Sequence, residues 1–238
     1  MADVGIAYCG PAPTPADLAA AWNLDPVLFA ALALFGVAIA RRAQPIPGWA
    51  AFATLALVFV SPLCALSSAL FSARVAHHVL LIAVAAPLLV LAFPKARAGG
   101  APAAWFAAHA VALWVWHAPG PYDWALGTVA GYWLMQATLL GTALGLWRCI
   151  LAPDAPAHIA LSLLVGTVAQ MGMLAALILF APFVLHAAHL TSTLPWGLDP
   201  LRDQQLAGLL MWVPATAPYI AVGVLLAWRL AAPDRAAR

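Results

Sequence analysis

The sequence predicts an all-α polytopic membrane protein, a bundle of seven transmembrane helices, and three observations carry that reading. Hydrophobic residues make up 66% of the 238-residue chain and charged residues only 8%, against about 25% charged in soluble domains. The apolar residues gather in long runs, and a bilayer core about 30 Å thick asks for roughly 20 of them per helix. The ten basic and eight acidic residues, every acid an Asp, stand outside those runs or at their ends. That is the expected place where a charge inside the bilayer costs roughly 2.5 to 3.5 kcal/mol on insertion scales. A soluble enzyme is excluded, and a net charge of +2 provides no surface for nucleic acid.

The elements follow in order once the chain is cut at its polar and Pro/Gly clusters. Residues 1–23, with the Pro-rich stretch Gly10 to Pro15, read as an exposed outer arm. The first 40 residues hold no Lys or Arg, so the opening lacks the basic region of a signal peptide. The first apolar run is Leu24 to Ala40, the second Gly48 to Leu66 and the third Val75 to Phe93. The fourth is Ala101 to His117, the fifth Trp124 to Trp147, the sixth Ala157 to His186 and the seventh Gln204 to Trp228. Pro62, Pro87, Pro214 and Pro218 each remove a backbone bond and predict a bend. Gly127-x-x-x-Gly131 and Gly141-x-x-x-Gly145 in the fifth run allow close helix approach, with an internal neighbour favoured over a dimer. Short connections make residues 24–230 one transmembrane domain, followed by a short basic cytoplasmic tail, 231–238. No internal repeat of the transporter kind is present.

Basic residues are held on the cytoplasmic side. Arg41, Arg42, Lys95, Arg97, Arg148, Arg229, Arg235 and Arg238 follow the odd-numbered runs, while Arg74 and Arg202 lie on the opposite side. The expected orientation is therefore N-terminus outside and C-terminus inside. Tryptophans at run ends, such as Trp105, Trp116, Trp124, Trp196 and Trp228, mostly read as interface anchors.

The residues that carry chemistry are histidines. Five of the seven, His77, His78, His117, His186 and His189, map to the outer ends of three runs, at one level of the membrane. His186 and His189 are three apart, so on a helix both rings face one point. Adjacent His77 and His78 diverge by about 100°, so only one of them is expected inward. Imidazoles from three helices at one depth match what a copper or zinc site requires. Asp123 and Asp203 can orient such rings from behind, although Asp203 reads first as a helix cap. Met171 and Met173 read as packing before they read as soft ligands. Cys64 can join the site, pair with Cys9 or stay an inert thiol, and three cysteines make no disulfide framework. No Ser/His/Asp order, phosphate-cradling loop or intramembrane carboxylate pair is found, so the chain is not read as an enzyme.

Three segments resemble the CtaG family of cytochrome c oxidase assembly factors: Trp116-His117-Ala-Pro-Gly-Pro-Tyr122-Asp123, Gln170 to His189, and above all Trp196 to Pro214 with its Asp203-Gln204 pair. His78 followed by its Leu-rich run to Pro87 resembles that family's third block. The likeness extends from about Trp49 to Trp228. It implies a multi-pass inner-membrane protein that helps build a haem-copper oxidase of the respiratory chain, as a copper metallochaperone. It also implies that His78, His117, His189, Asp203 and Gln204 are site residues. The chain departs from the family where Arg74 replaces a usual His and where Tyr132 to Gln136 replace a His-x-x-Glu-His pattern. Either His77 and His186 rebuild the site, or the protein acts as a scaffold or accessory subunit without metal. The expected partners are oxidase subunits and lipid. A b-haem carrier and a transporter are weaker readings.

Overall fold

The computed structural model describes residues 7–42, 45–94 and 101–231, and among them every regular element is a helix. Asp3, Lys95, Arg97 and the tail from Ala232, with Arg235 and Arg238, lie outside the described residues.

Helix α1, Pro26–Ala40, starts where Asp25 accepts from the Val27 amide at 2.8 Å and Pro26 pre-sets the first turn. The second run divides into α2, Ile46–Phe59, and α3, Leu63–Ala69, bent by 43° at the break that contains Pro62. The third run is one continuous span, Phe71–Ala92, built from α4 (Phe71–Val79), a π-turn (Leu80–Ala85) and α5 (Ala86–Ala92). Pro87 cannot donate, and the widened turn before it leaves carbonyls without helical partners. The indole of Trp147 donates to one of them, Ile82 O, at 2.8 Å. The bend expected at Pro87 is thus absorbed inside the helix and satisfied by a neighbour.

Helix α6 runs Pro102–His117, α7 Pro119–Gly127 and α8 Val129–Leu151. Next come α9, Ala157–Phe180, α10, Pro200–Trp212, a 3-10 turn Pro214–Thr216 and α11, Ala217–Ala231. The α4–α5 span sits inside: α10 packs on α4 and α9, α2 and α8 on α5, and α6 on α8 and α9.

Lengths correct the predicted count. Among the described residues four helices are long and apolar enough to cross a membrane, Phe71–Ala92, Val129–Leu151, Ala157–Phe180 and Pro200–Trp228, or five with the bent pair α2 and α3. Helix α1 has 15 residues and α6 has 16, about 22 to 24 Å at 1.5 Å per residue, short of a core of about 30 Å. Seven crossings, and the orientation of the termini deduced from them, are not supported.

Two charges expected at the surface are inside. Helix α4 begins at Phe71, four residues earlier than expected, so Arg74 lies within the bundle at 1% exposure, and Asp203 on α10 is at 0%. The tryptophans also divide. Trp124 and Trp228 are exposed, whereas Trp116 is buried and donates to Thr138. Trp105 lies against Gly145, where a Cβ would come within 2.1 Å of its ring. The close approach expected of the fifth run is therefore made to an internal neighbour at Gly145, while Gly141 has nothing within 4 Å.

The N-terminal arm is fastened to the bundle at α3, the start of α8 and the segment before α10. Cys9 and Cys64 form a disulfide across 55 residues of sequence. Tyr8 stacks on Tyr132 with centroids 4.7 Å apart and donates to Asp25 at 2.6 Å, and the Trp196 indole donates to Pro13 O at 3.1 Å. Closing so long a loop in the unfolded chain stabilises by about 2–4 kcal/mol. Changing both cysteines to Ser is expected to lower the thermal midpoint in detergent, and an unchanged midpoint would show that the other arm contacts suffice.

Candidate functional site

The five imidazoles gather where α4 passes between α2, α6, α7 and the segment after α9. All are buried, at 5% exposure or less. His77 and His78 do diverge, but α4 is central, so both point inward. His77 turns toward α2 and stands edge-on to Phe59 at 5.5 Å, whereas His78 turns toward α6 and α8.

His186 and His189 are not on a helix. Helix α9 ends at Phe180 and Ala181 takes an extended ψ of 127°, because the following Pro182 excludes the helical conformation from the residue before it. The chain continues irregularly to a 3-10 turn, Ala187–His189, so the two rings do not share one helical face. His186 lies between Phe71 and Tyr122, 4.3 Å from each ring centre, and neither of its nitrogens has a partner. Burial pushes His186 down to about 3 and His189 down to about 4, so both are neutral at pH 7.

Hydrogen bonds decide which lone pairs are free. His189 Nδ1 lies 3.1 Å from Ala69 O, and Nε2 lies 2.7 Å from the Tyr122 hydroxyl. A carbonyl can only accept, so Nδ1 carries the proton and Tyr122 donates to Nε2. Both nitrogens of His189 are committed. In His117, Nδ1 donates to Leu113 O at 2.7 Å, which leaves the Nε2 lone pair available. A ring N–H held by a backbone carbonyl is the arrangement that orients a metal-binding imidazole. His78 Nε2 lies 3.5 Å from the Gln136 amide nitrogen, while Gln136 Oε1 and His78 Nδ1 are buried without partners. Turning the amide over lets Oε1 accept from Nε2–H and frees Nδ1 as a lone pair, an assignment that the hydrogen-bond network must make for any amide.

The rings of His78 and His117 are 6.0 Å apart, centre to centre. One ion held about 2.0 Å from a nitrogen of each ring gives a separation of roughly that size. Among the described residues, no three His, Cys or Asp side chains are grouped closely enough to hold one ion. Two imidazole nitrogens are a donor set of the type that suits copper or zinc.

The remaining predicted residues hold the frame. Asp203 lies in the first turn of α10, whose own cap is Asp199. Its carboxylate reaches across to the start of α4 and accepts from the Phe71 amide at 2.6 Å, from the Ser72 amide at 3.3 Å and from the Ser72 hydroxyl. It caps a different helix from the one the sequence suggested. Gln204 ties down the broken end of α9: Oε1 accepts from Leu185 N at 2.7 Å, and Nε2 donates to Ile178 O at 3.3 Å and Phe183 O at 3.1 Å. Asp123 is exposed on α7 and makes no hydrogen bond to an imidazole among the described residues. Of the alternatives for Cys64, the disulfide is the one realised.

Sequence reasoning gave Arg74, Tyr122 and Gln136 no role at the site. Tyr122 stood in a family-like segment and Gln136 at a departure from the family pattern, but the role of each depends on a contact from another part of the chain. Arg74 gave a signal, a charge at the edge of an apolar run.

A groove of about 940 Å³ opens beside this cluster, lined by Trp114, His117, Met173, Leu177, Phe183 and Leu185. His117 is thus shared between the buried pair and an apolar surface. The family model of the cytochrome c oxidase caa3 assembly factors matches residues 96–232, more than half of the chain. The chain belongs to this family. The match covers α6 to α11, and so includes His117, His186, His189, Asp203 and Gln204. No curated protein and no solved structure matches the chain. The family is one of assembly factors, and among the described residues four to five helices are long and apolar enough to cross a membrane.

Proposed function

We propose that this assembly factor takes up Cu(I) between His78 and His117 and hands it to a subunit of a haem-copper oxidase in the bacterial inner membrane. The observation that carries this reading is the buried imidazole pair at 6.0 Å, with His117 anchored through Nδ1 and its Nε2 free. A two-coordinate ion leaves positions open for an incoming ligand, which is what transfer by ligand exchange needs. His117 and Met173, both on the wall of the groove, supply a nitrogen and a thioether along a route to the membrane surface. The disulfide at the imidazole end of the bundle supports placing that end in an oxidising compartment, hence the outer face.

Purified protein is expected to bind about one Cu(I) in competition with a chromophoric chelator, and His78→Ala with His117→Ala to abolish binding. His189→Phe is expected to leave the stoichiometry unchanged, because both of its nitrogens are already committed. Undiminished copper in the double variant would refute the assigned pair.

The absence of a three-donor group among the described residues favours one second reading, a scaffold that holds an oxidase subunit without carrying metal. On that reading the double variant still restores oxidase assembly in a deletion strain. On the copper reading it restores assembly only when the medium is supplemented with copper.

A further inference from the structure

Arg74 is the least expected residue in the bundle. It is 1% exposed, its Nε donates to Ser67 O at 3.2 Å, and its Nη1 is buried with no partner. The guanidinium lies over the Tyr132 ring at 5.5 Å, a contact that stabilises a cation without neutralising it. The carboxylate buried on α10, Asp203, directs its oxygens to Phe71 and Ser72 instead. A buried charge without a paired charge is expensive, and an ionisable group kept inside a membrane protein points to function.

Its position says what that function acts on. Arg74 precedes His77 by three residues and His78 by four on α4, the two spacings that place side chains side by side on a helix. A fixed positive charge therefore stands one helical turn from a ligand of the His78–His117 pair.

We infer that Arg74 selects the cargo ion by charge, admitting a monovalent ion and rejecting divalent ones. This rests on the copper reading above. Repulsion from a fixed charge scales with the charge of the ion, so a divalent ion suffers twice the free-energy penalty of a monovalent one. In binding constants the penalty is squared. If removing the guanidinium tightens a monovalent ion tenfold, a divalent ion at the same site tightens a hundredfold. Zn(II), which otherwise competes for imidazole ligands, is kept out without any change in ligand geometry.

The test compares Ag(I), a soft monovalent probe that does not change oxidation state, with Zn(II) by equilibrium titration of the full chain in detergent. Three proteins are used: wild type, Arg74→Gln and Arg74→Lys. Arg74→Gln is expected to raise the Zn(II) affinity by the square of its effect on Ag(I), and Arg74→Lys, which keeps the charge, to restore the wild-type preference. Equal gains for the two ions in Arg74→Gln would overturn the filter, as would an Arg74→Lys protein that accepts Zn(II) like Arg74→Gln. Should Arg74→Gln fail to fold, the Arg74→Lys arm still decides, since retained Zn(II) exclusion supports a charge effect and its loss refutes one. Failure of the wild type to bind Ag(I) would overturn the copper reading itself, whereas Ag(I) binding with unselective variants overturns only the filter.

Discussion

Asp203→Ala is expected to destabilise the protein by roughly 4 kcal/mol, the largest loss from a single truncation near the site. The carboxylate accepts from two backbone amides and a hydroxyl at the start of α4, and each buried donor left unmade costs about 1–3 kcal/mol. The Ser72 hydroxyl can rotate to another acceptor; the amides of Phe71 and Ser72 cannot. The carboxylate also meets the positive end of the α4 dipole. Asp203→Asn keeps one acceptor oxygen but turns an amide toward a donor, so about half the loss is expected. The measurement is the thermal midpoint in detergent, followed by tryptophan fluorescence. A midpoint for Asp203→Ala within a degree of wild type would show that the contact across α10 and α4 does not hold the site. Because His77 and His78 stand on the same helix, the Ala variant is also expected to bind Cu(I) more weakly even where it remains folded.

Such a contact marks the boundary of what the sequence could disclose. Composition and run length predicted an all-helical membrane protein, and α6 came within one residue of its expected start, because those properties belong to local stretches. The bend at Pro62 was legible for the same reason. The end of α9 was not. The apolar text continues through Phe183 to Leu185, yet Pro182 dictates a break, and the cost of that break is met by Gln204 from a distant segment. Span count failed where apolar character outran helix length, as in α1. At the site, the sequence put five imidazoles at one depth, and the structure buries all of them. Which lone pairs remain free depends on Ala69 O, Leu113 O, Tyr122 and Gln136, partners that no spacing rule identifies.

Gly208→Val is the second large effect, and its cause lies in backbone that cannot yield. A Cβ at Gly208 would meet Leu179 N at 2.8 Å and Ala175 O at 2.9 Å on α9. Side chains can turn aside from a new methyl group, but helix backbone can make room only if α9 and α10 separate as bodies. Overpacking costs about 1–3 kcal/mol where neighbours adjust and more where they do not, so a loss of about 3 kcal/mol or more is expected. Separation would propagate, since one helix carries Gly208, the Gln204 clamp on the end of α9 and the Asp203 cap on α4. Moving α10 by the width of a methyl group loosens both attachments, and with them the segment that presents His186 and His189. The readout is the fraction of monodisperse protein on size exclusion together with the thermal midpoint. Gly141→Ala is the control, for nothing lies within 4 Å of that position, and Ala is favoured over Gly within a helix by about 1 kcal/mol. If Gly208→Val behaves like Gly141→Ala, α9 and α10 are not in close contact, and the tie from α10 to the imidazole cluster is lost with that contact.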